Sequence, residues 1–464
     1  MDADVIVVGG GISGLACAWG LQKGGRDVLV LEAASRAGGT IGTARADGFL
    51  VEAGPNSTLD TTPLIGALLE DLGIAGLRID AAPAARNRYI LHQGQLCALP
   101  LSPAAFLATP LFSAGAKLRL LREPFIGRSP AAAEESVAAF VRRRLGSEFL
   151  DRAINPFVAG VYAGAPELLS VRAAFPKLHQ LEQAYGSLIL GQLLGARARS
   201  RDPEKSKQSA AMFAFKDGMQ TLTDALARRL RRVEAGAEAL SVQPGTGGYL
   251  VRTQRAGGLR EFRARAVVLA LPAYAAATLA APFAPRAAAA LGAIPYPPVA
   301  VAASAYRKGA IARGLDGFGF LVPQREGRRI LGSIFSSTLF AGRAPDGFDL
   351  LTTFAGGMRQ PALAQGSEAE IAEAVQAEHA EILGAPPRAD FMQVRRWPRA
   401  IPQYTLGHLA RIAQVEDAER ELPGLFFCAN YRGGVSIGDC IRSAAVIAEQ
   451  AGAFLRGAAP PALR

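Results

Sequence analysis

The first stretch of the chain is a set of spaced glycines between two apolar segments. Residues 5–8 are apolar and predict a short buried strand, and the glycines that follow predict a tight turn that opens a helix. Because Gly11 has no side chain, the backbone there can approach a pyrophosphate, which then lies at the positive end of the helix. Gly14 lets that helix pack closely against the strand. This pattern commits the start of the chain to a nucleotide-binding strand–helix–strand unit.

A second apolar strand, predicted for residues 28–31, ends at Glu32. A carboxylate at this distance from the glycines can accept hydrogen bonds from an adenosine ribose. The chain up to this point leaves NAD and FAD open. A second glycine pair, Gly38 and Gly39, favours FAD, because the longer molecule runs over this loop and needs close backbone contact there.

A further glycine-rich turn lies near the C-terminus, at residues 433–439, and leads into a helix predicted for residues 440–454. Backbone amides at the start of this helix can face a flavin and stabilise its reduced form. A purely structural glycine turn is the alternative. The first interpretation predicts a cofactor site that is completed by both ends of the chain.

The chain has 464 residues, enough for two or three domains, and 50% of them are hydrophobic. Its net charge of +11 favours anionic partners such as nucleic acid, anionic lipid or a carboxylate-bearing substrate. The basic residues are scattered and no nucleic-acid motif accompanies them, so we expect no nucleic-acid partner. The four cysteines form no CxxC pair, and no signal peptide precedes Val5, so we expect reduced thiols in a cytoplasmic protein.

The order of the predicted elements indicates an α/β (α+β) fold with three parts: a Rossmann-like FAD-binding domain assembled from discontinuous segments, a mixed-sheet substrate-binding domain and a helical subdomain. Their predicted ranges are 1–85, 210–292 and 415–464 for the first, 86–97 and 293–414 for the second, and 98–209 for the third.

In the helical subdomain apolar and basic residues occur close together, which predicts contact with an anionic bilayer. The apolar residues expected to rest on the membrane are Phe106, Leu107, Leu111 and Phe112, with Lys117, Arg119 and Arg122 nearby. An ordinary helical subdomain is the alternative. Since no segment is predicted to span a membrane, the attachment would be peripheral, on the cytoplasmic face.

Several motifs together resemble a known group of enzymes. Arg36-Ala37-Gly38-Gly39 is similar to the loop that ends the nucleotide fingerprint of the amine-oxidase-type flavoproteins, although Thr40 stands where many members have arginine. Narrower motifs are Gly-Pro-Asn-Ser at 54–57, Gly-Val-Tyr-Ala-Gly at 160–164, Gly-Phe-Gly-Phe-Leu-Val-Pro at 317–323, Ile-Pro-Gln-Tyr-Thr-Leu-Gly-His at 401–408 and Gly-Val-Ser-Ile-Gly-Asp-Cys-Ile at 434–441. With these, the chain resembles the oxygen-dependent protoporphyrinogen oxidases of bacterial type.

The resemblance implies an FAD site with residues from the whole length of the chain. The implied residues are Gly9, Gly10, Gly11, Ile12, Ser13, Gly14, Glu32, Ala33, Arg36, Gly38, Gly39, Thr40, Gly54, Pro55, Asn56, Ser57, Asn430, Val435, Ser436 and Ile437, and Ala239 on the adenine side, where relatives tend to have valine.

The resemblance also implies a substrate site. Arg88 pairs with a propionate of the porphyrinogen, and Gly160, Leu321 and Phe354 shape the walls around the macrocycle. The chemistry agrees, because a bulky apolar ring with acidic side chains needs an apolar cleft and a fixed cation. Arginine stays protonated and can bind a carboxylate through two hydrogen bonds. From its residue type alone, Arg88 is equally consistent with a surface salt bridge.

The implied reaction is the oxidation of protoporphyrinogen IX to protoporphyrin IX, a late step of heme biosynthesis. It removes six electrons, so a flavin that accepts two at a time must turn over three times. No nucleophilic triad or metal cluster is evident, and we name no protein acid, base or metal ligand. We expect the four histidines to be structural, with the role of His408 open.

No second glycine fingerprint with a strand before it is present, which argues against a tightly held nicotinamide. Electrons then pass to oxygen or to a membrane quinone, and the resemblance favours oxygen, with release of hydrogen peroxide. Three alternatives stay open: oxidation of coproporphyrinogen III, a related flavoenzyme acting on an amine or polyene, and a flavin-containing porphyrin carrier without turnover. The oligomeric state is open as well, a homodimer included.

Overall fold

The computed structural model describes residues 1–130, 133–195 and 210–457. Segment 197–209, where charged and serine residues predict a solvated loop, lies outside these ranges. In the described ranges no helix is both long enough and apolar enough to cross a membrane.

The strands of the described residues are β1 (Ala3–Val8), β2 (Val28–Glu32), β3 (Thr43–Ala46), β4 (Phe49–Glu52), β5 (Thr58–Leu59), β6 (Arg78–Asp80), β7 (Arg88–His92), β8 (Gln95–Ala98), β9 (Met212–Phe215), β10 (Val233–Ala235), β11 (Glu238–Gly245), β12 (Gly248–Arg255), β13 (Gly258–Leu269), β14 (Val299–Arg307), β15 (Gly319–Leu321), β16 (Ile330–Ile334), β17 (Phe348–Gly356), β18 (Phe391–Trp397) and β19 (Leu425–Phe427).

The α-helices are α1 (Ile12–Lys23), α2 (Pro63–Leu72), α3 (Pro103–Ala108), α4 (Ala114–Leu120), α5 (Val137–Arg144), α6 (Ser147–Phe149), α7 (Asn155–Tyr162), α8 (Val171–Ala174), α9 (Pro176–Tyr185), α10 (Leu188–Leu194), α11 (Gln220–Arg229), α12 (Ala273–Ala280), α13 (Pro285–Gly292), α14 (Ser336–Leu339), α15 (Pro361–Gln365), α16 (Glu368–Leu383), α17 (His408–Glu421) and α18 (Ile437–Leu455). A π-helical segment, Leu150–Ile154, joins α6 to α7.

The first large sheet has the strand order β10-β2-β1-β13-β12-β11, and β19 pairs with β13. Strands β10, β2, β1, β13 and β19 are parallel, while β11, β12 and β13 form an antiparallel meander. In β1, Val5 and Val7 pack with α1 and α18 on one face, and Ile6 and Val8 pack with α12, α13 and α17 on the other. Because helices cover both faces, the strand is a continuous apolar run rather than an alternating one.

The second large sheet has the order β18-β14-β17-β16-β15-β7-β8. It is mixed, because β7 and β15 are parallel while the other neighbours are antiparallel. Helix α16 covers one face, where Ile371 and Val375 join the core of the sheet. On the other face Val299 and Val301 pack against Ala159 of α7. These two sheets confirm the α/β class and the mixed second sheet.

The domain boundaries remain predictions, but one of them falls inside a helix. The boundary at residue 415 lies in the middle of α17, which begins at His408. Ile412 and Val415 of this helix pack in the same cluster as Leu291 of α13. The chain therefore re-enters the first sheet's helical layer at residue 408.

Helices α5, α9 and α10 are joined by a buried ionic cluster. The Arg144 guanidinium is fully buried and contacts the carboxylates of Glu182 and Glu123. Residues 176–194 form two helices, α9 and α10, because Gly186 has a φ of +74° and the Ser187 hydroxyl caps α10 by accepting a hydrogen bond from Leu190 N–H (3.1 Å).

Two of the residues predicted to face a bilayer are buried instead. Leu111 and Phe112 are 0% and 4% exposed, and they pack with Ile90 of β7. Phe112 also stacks on Phe149, with ring centroids 4.1 Å apart. The prediction was wrong for these two because the pattern shows that a face is apolar but not which neighbour covers it. Leu107 is 70% exposed, as expected.

His379 lies in the core between α16 and the second sheet. Its Nε2 is 2.8 Å from the Thr353 hydroxyl, and its Nδ1 is 3.1 Å from the Tyr306 hydroxyl. Burial lowers the pKa of His379 from its ordinary 6.5 to about 4. The unfolded chain therefore binds a proton at His379 at higher pH than the folded protein does. The contribution of His379 to the free energy of unfolding is complete above pH 6.5 and is lost between pH 6.5 and about 4.

We expect His379 to contribute about 3 kcal/mol to the loss of stability across this pH window. Urea unfolding at about pH 7 and about pH 4.5 measures the loss, and His379→Gln, which does not titrate, removes this contribution. If the variant and the unmodified protein lose the same free energy of unfolding on acidification, the assignment to His379 is wrong.

Candidate active site

The turn between β1 and α1 and the first turn of α1 each contain a glycine with no room for a side chain. A Cβ at Gly9 would overlap the carbonyl oxygen of Ala270, and a Cβ at Gly14 would overlap the carbonyl oxygen of Gly9. At Gly11, in contrast, no atom lies within 4 Å of where a Cβ would be placed. The N-terminus of α1 thus presents open backbone at Gly11, as the sequence predicted for a phosphate-binding turn.

Glu32 holds this turn from the end of β2. Its Oε2 accepts a hydrogen bond from Gly10 N–H (2.7 Å), and its Oε1 accepts one from Ala34 N–H (2.8 Å). Ala33 lies between Glu32 and Ala34 in the chain, directly after β2. The carboxylate is therefore fixed beside the glycine turn, and each oxygen keeps further lone pairs for a ribose.

The loop after Glu32 folds back onto the same turn. Gly38 N–H donates to the carbonyl oxygen of Gly10 (2.7 Å), and a Cβ at Gly39 would lie 3.2 Å from Gly11 Cα. The Arg36 guanidinium donates to the carbonyl oxygens of Ala37 (2.8 Å) and Ile41 (3.0 Å). The Arg36 side chain therefore shapes the loop by binding the loop's backbone carbonyls.

The turn at residues 54–57 adjoins this loop. A Cβ at Gly54 would overlap the carbonyl oxygen of Thr40, so the two segments touch through backbone. Asn56 Nδ2 donates to the Gly54 carbonyl oxygen (3.2 Å), and Pro55 and Ser57 complete the turn. The structure thus brings together three segments that the sequence singled out separately.

The C-terminal turn also reaches this region. Ser436 caps α18 by accepting a hydrogen bond from Asp439 N–H (3.2 Å), and Val435 and Ile437 flank this cap. A Cβ at Gly438 would lie 2.8 Å from the Thr61 hydroxyl, close behind the 54–57 turn. The N-terminus of α18 is therefore placed beside the segments from the start of the chain.

Tyr404 fixes the shape of this C-terminal turn. Its hydroxyl donates to the Asn430 carbonyl oxygen (2.6 Å) and accepts from Gly434 N–H (2.9 Å). The ring stacks on His408, whose Nε2 lies 2.9 Å from the Tyr431 carbonyl oxygen. Burial lowers the pKa of His408 to about 4, so the ring is neutral and donates through Nε2. His408, whose role the sequence leaves open, supports the turn.

Ala239 lies in β11, shortly after a segment that pairs with Glu32. Ala235 of β10 pairs with Glu32, and Ala237 N–H donates to the Glu32 carbonyl oxygen (2.8 Å). Ala239 follows in a partly buried position. Its contact with the adenine remains a prediction.

Three of the four predicted substrate residues lie on one face of the second sheet. Arg88 of β7 pairs with Gly319 of β15, and Leu321 lies two positions further along the same strand, on the same face. Leu321 pairs with Gly332 of β16, which in turn pairs with Phe354 of β17. The sheet register thus places the cation and two apolar side chains on a common surface.

Gly160, the fourth residue, faces this surface from α7. A Cβ at Gly160 would lie 2.5 Å from Leu321 Cδ2, so the helix and the sheet touch here and a larger residue would displace the Leu321 side chain. Gly160 shares the exposed face of α7 with Phe157 and Val161, which are 43% and 40% exposed. This face of α7 and the sheet face that it meets are therefore both apolar, and they form the walls of the candidate cleft.

Arg88 lies at the edge of this cleft with an exposed side chain. Its guanidinium lies 5.5 Å from the ring centroid of Phe318. Surrounding protein atoms displace part of its hydration and lower the pKa of Arg88 from its ordinary value. Among residues 1–130, 133–195 and 210–457, no carboxylate forms an ion pair with it. The surface salt-bridge alternative has no support in this part of the chain, and the cation is available to an anionic ligand.

The sequence reasoning missed residues that support the site from behind. The Glu52 carboxylate accepts from Met219 N–H (2.9 Å) and forms a buried ion pair with Arg343 (3.0 Å), next to the 54–57 turn. Trp397 Nε1 donates to the Ala53 carbonyl oxygen (2.7 Å) and ties the second sheet to the same turn. Tyr404 lies in a motif that already carries the resemblance, which is the one signal in the sequence that points to it.

The family model described as flavin containing amine oxidoreductase matches residues 12–451. The chain belongs to this family. It is an FAD-dependent oxidoreductase, and the resemblance found in the sequence is confirmed at this level.

Relatives of known activity cover nearly the whole chain. A chloroplastic protoporphyrinogen oxidase of Oryza sativa subsp. japonica is 36% identical, over 98% of this chain and 89% of the rice protein. A coproporphyrinogen III oxidase of Bacillus subtilis (strain 168) is 27% identical, over 94% of this chain and 95% of that protein. A crystal structure from Exiguobacterium sp. 255-15 has the same fold, with a TM-score of 0.82 and 24% identity over 97% of this chain and 98% of the other.

The segments around the glycine turns fit the cofactor of this flavoprotein family. The open position at Gly11 is the place where a bound pyrophosphate would lie in a dinucleotide site, and a side chain there would fill it. Glu32 is held where an adenosine ribose would follow, and the N-terminus of α18 supplies backbone amides for the other end of the molecule.

Proposed function

We propose that this flavoprotein oxidises protoporphyrinogen IX to protoporphyrin IX, with FAD as cofactor and oxygen as electron acceptor. The observation that carries the proposal is the surface shared by Arg88, Leu321 and Phe354 with Gly160 opposite, because it combines an available cation with apolar walls. A porphyrinogen presents the matching chemistry, an apolar macrocycle with propionate groups. The name of the rice relative supports the same substrate.

In this proposal FAD, when bound, supplies the acceptor for two electrons in each of three cycles. Arg88 binds a propionate through two hydrogen bonds and fixes the orientation of the macrocycle. Leu321 and Phe354 present an apolar face to the macrocycle and exclude water, while Gly160 lets α7 contact Leu321 at the border of this face. The amides at the N-terminus of α18 stabilise negative charge near the cofactor.

Anaerobic mixing of the purified holoprotein with protoporphyrinogen IX tests this proposal. We expect the absorbance of the oxidised flavin to bleach, and oxygen readmission to restore it with formation of hydrogen peroxide. Binding of the porphyrinogen without bleaching would overturn the proposal in favour of a carrier. Bleaching that oxygen does not reverse, but a quinone does, would overturn oxygen as the acceptor.

Coproporphyrinogen III is the second candidate substrate, and the Bacillus subtilis relative is the observation that favours it. It carries four propionates instead of two, and one available arginine does not separate the two compounds. Steady-state rates with both compounds, measured side by side on the same preparation, decide between them. The proposal expects the larger kcat/KM with protoporphyrinogen IX.

We also propose that the protein attaches peripherally to the cytoplasmic face of a membrane. Large apolar side chains are exposed on neighbouring parts of the helical region: Leu101, Leu107, Leu118, Leu121, Phe125, Leu193 and Leu194. Lys117 Nζ donates to the Leu107 carbonyl oxygen (2.7 Å), which joins α3 to α4. Glu123 accepts from Leu188 N–H (2.9 Å), which joins the turn of Phe125 to α10. The segments that carry these exposed apolar side chains therefore contact one another in pairs, which supports contact with a bilayer.

Replacing Leu121 and Phe125 together by serine is expected to weaken binding to vesicles of anionic phospholipid by at least about tenfold, because both apolar side chains lose their burial in the bilayer. Leu259→Ser is the matched control. Leu259 is 70% exposed, as Leu121 is, but it lies on β13, outside the helical region. Vesicle flotation measures the binding. An unmodified protein that does not float with the vesicles would contradict the proposal.

A further inference from the structure

The turn that follows β17, residues 357–359, holds α7 at both ends. At the C-terminal end, Met358 N–H donates to the Ala163 carbonyl oxygen (2.8 Å). Gly357 lies so close to this carbonyl that a Cβ there would be 2.5 Å from its oxygen, and the φ of Gly357 is +67°. Both features restrict this position to glycine. The strand that carries Phe354 is thus fixed to the end of the helix that carries Gly160.

At the N-terminal end of α7, the connection is made by the side chain of Arg359. Its Nη2 donates to the Asn155 carbonyl oxygen (2.7 Å) and to Asn155 Oδ1 (2.5 Å). Its Nη1 donates to the carbonyl oxygen of Val322 (2.7 Å), the residue directly after Leu321. Asn155 Oδ1 also accepts from Gln324 N–H (3.0 Å). One guanidinium therefore joins α7, the end of β15 and the turn after β17.

These three elements carry the three apolar walls of the cleft: Gly160 on α7, Leu321 on β15 and Phe354 on β17. We propose that Arg359 is a positioning residue for porphyrinogen binding, which fixes these three elements relative to one another without touching the substrate. The inference rests on the proposed function. It concerns the walls only, since Arg88 lies on the adjacent strand β7, to which Arg359 makes no hydrogen bond.

The role requires arginine rather than a generic cation. The hydrogen bonds of Arg359 go to carbonyl and amide oxygens on two separate elements, and its planar group spans them in a fixed geometry. Burial lowers the pKa of Arg359 to about 10, and the negative charge of Glu167 opposes this shift by raising the pKa. Lysine keeps the charge but has no second nitrogen with which to span Asn155 and Val322.

Arg359→Lys is the first test. We expect the KM for protoporphyrinogen IX to rise about tenfold and kcat to change less than about twofold, since hydrogen bonds from a charged group hold the walls. The affinity for added protoporphyrin IX is expected to fall about tenfold as well. Porphyrin fluorescence titration of the oxidised holoprotein measures that affinity without turnover. The FAD content is expected to stay unchanged.

Asn155→Ala is the second variant, because it removes the side-chain amide from the same junction and leaves the Arg359 guanidinium in place. It is also expected to raise KM. Arg396→Lys is the matched control: Arg396 also donates to a backbone carbonyl, that of Gly366 (2.9 Å), but lies on β18 at the edge of the sheet. If the unmodified protein is active and Arg359→Lys has the same KM and the same affinity for porphyrin, this inference alone is overturned. An unmodified protein that oxidises neither porphyrinogen overturns the proposed function instead.

Discussion

Gly11→Leu is expected to abolish FAD binding in a chain that still folds. No neighbouring atom lies within 4 Å of a Cβ at this position, so a side chain begins there without a steric conflict. The backbone there has a φ of −73°, which any residue adopts. The leucine side chain instead fills the space predicted for the pyrophosphate. We expect the affinity for FAD to fall at least about 100-fold, or about 2.7 kcal/mol.

The ratio of flavin absorbance to protein absorbance after purification, followed by titration of the apoprotein with FAD, measures this loss. Gly314→Leu makes the same chemical change at another position with no neighbour within 4 Å, outside the predicted cofactor site. It is expected to keep its FAD. A Gly11→Leu protein that retains a full complement of FAD would exclude the β1–α1 turn as the pyrophosphate site.

Arg88→Ala is expected to raise the KM for protoporphyrinogen IX about 100-fold while FAD content stays unchanged, because a carboxylate in a partly desolvated cleft loses its partner. The distance to the glycine turns explains the separation of the two effects: Arg88 belongs to the second sheet, whereas the predicted FAD residues surround the first. Steady-state kinetics with both porphyrinogens, together with the flavin spectrum, measure the change.

Arg86→Ala is the control for loss of surface charge, since Arg86 is exposed two residues earlier, in the turn before β7. Its KM is expected to match that of the unmodified protein. Arg88→Lys keeps the charge and is expected to fall between alanine and arginine, because an ammonium group binds a carboxylate without the paired geometry. Kinetic constants in Arg88→Ala equal to those of the unmodified protein would remove Arg88 from the substrate site.

The two halves of the site differ in how far the sequence predicted them. The strand, glycine turn and helix at residues 5–23 are consecutive, and several of their requirements are local: a φ of +108° at Gly9, no Cβ at Gly14 against the Gly9 carbonyl, and open backbone at Gly11. Such requirements leave a mark on residue type and spacing, so the nucleotide turn is evident from the order of the residues alone. The same holds for Glu32, whose position after β2 follows from the length of the unit.

The substrate surface has no comparable local mark. Arg88, Leu321 and Phe354 come from three strands far apart in the chain, and the pairing of β7 with β15 and of β16 with β17 decides that they share a face. A shift of one residue in either register would turn a side chain to the opposite face. Sequence reasoning reached these residues through the family resemblance alone.

The errors have the same origin. Leu111 and Phe112 follow an apolar pattern that suits a bilayer as well as it suits a core, and only the packing on Ile90 and Phe149 decided between them. Arg359 gave no signal, because an arginine that binds backbone carbonyls has no characteristic spacing.

By itself, the sequence determined the cofactor turn, the α/β class and the family, since each depends on residue types at short range or on motifs spread along the chain. Only the tertiary structure decided which side chains line the cleft, which apolar residues are exposed and what holds α7 against the sheet. Those properties depend on contacts between distant segments, whose free energy is set by which surfaces meet and not by the residues of either segment alone.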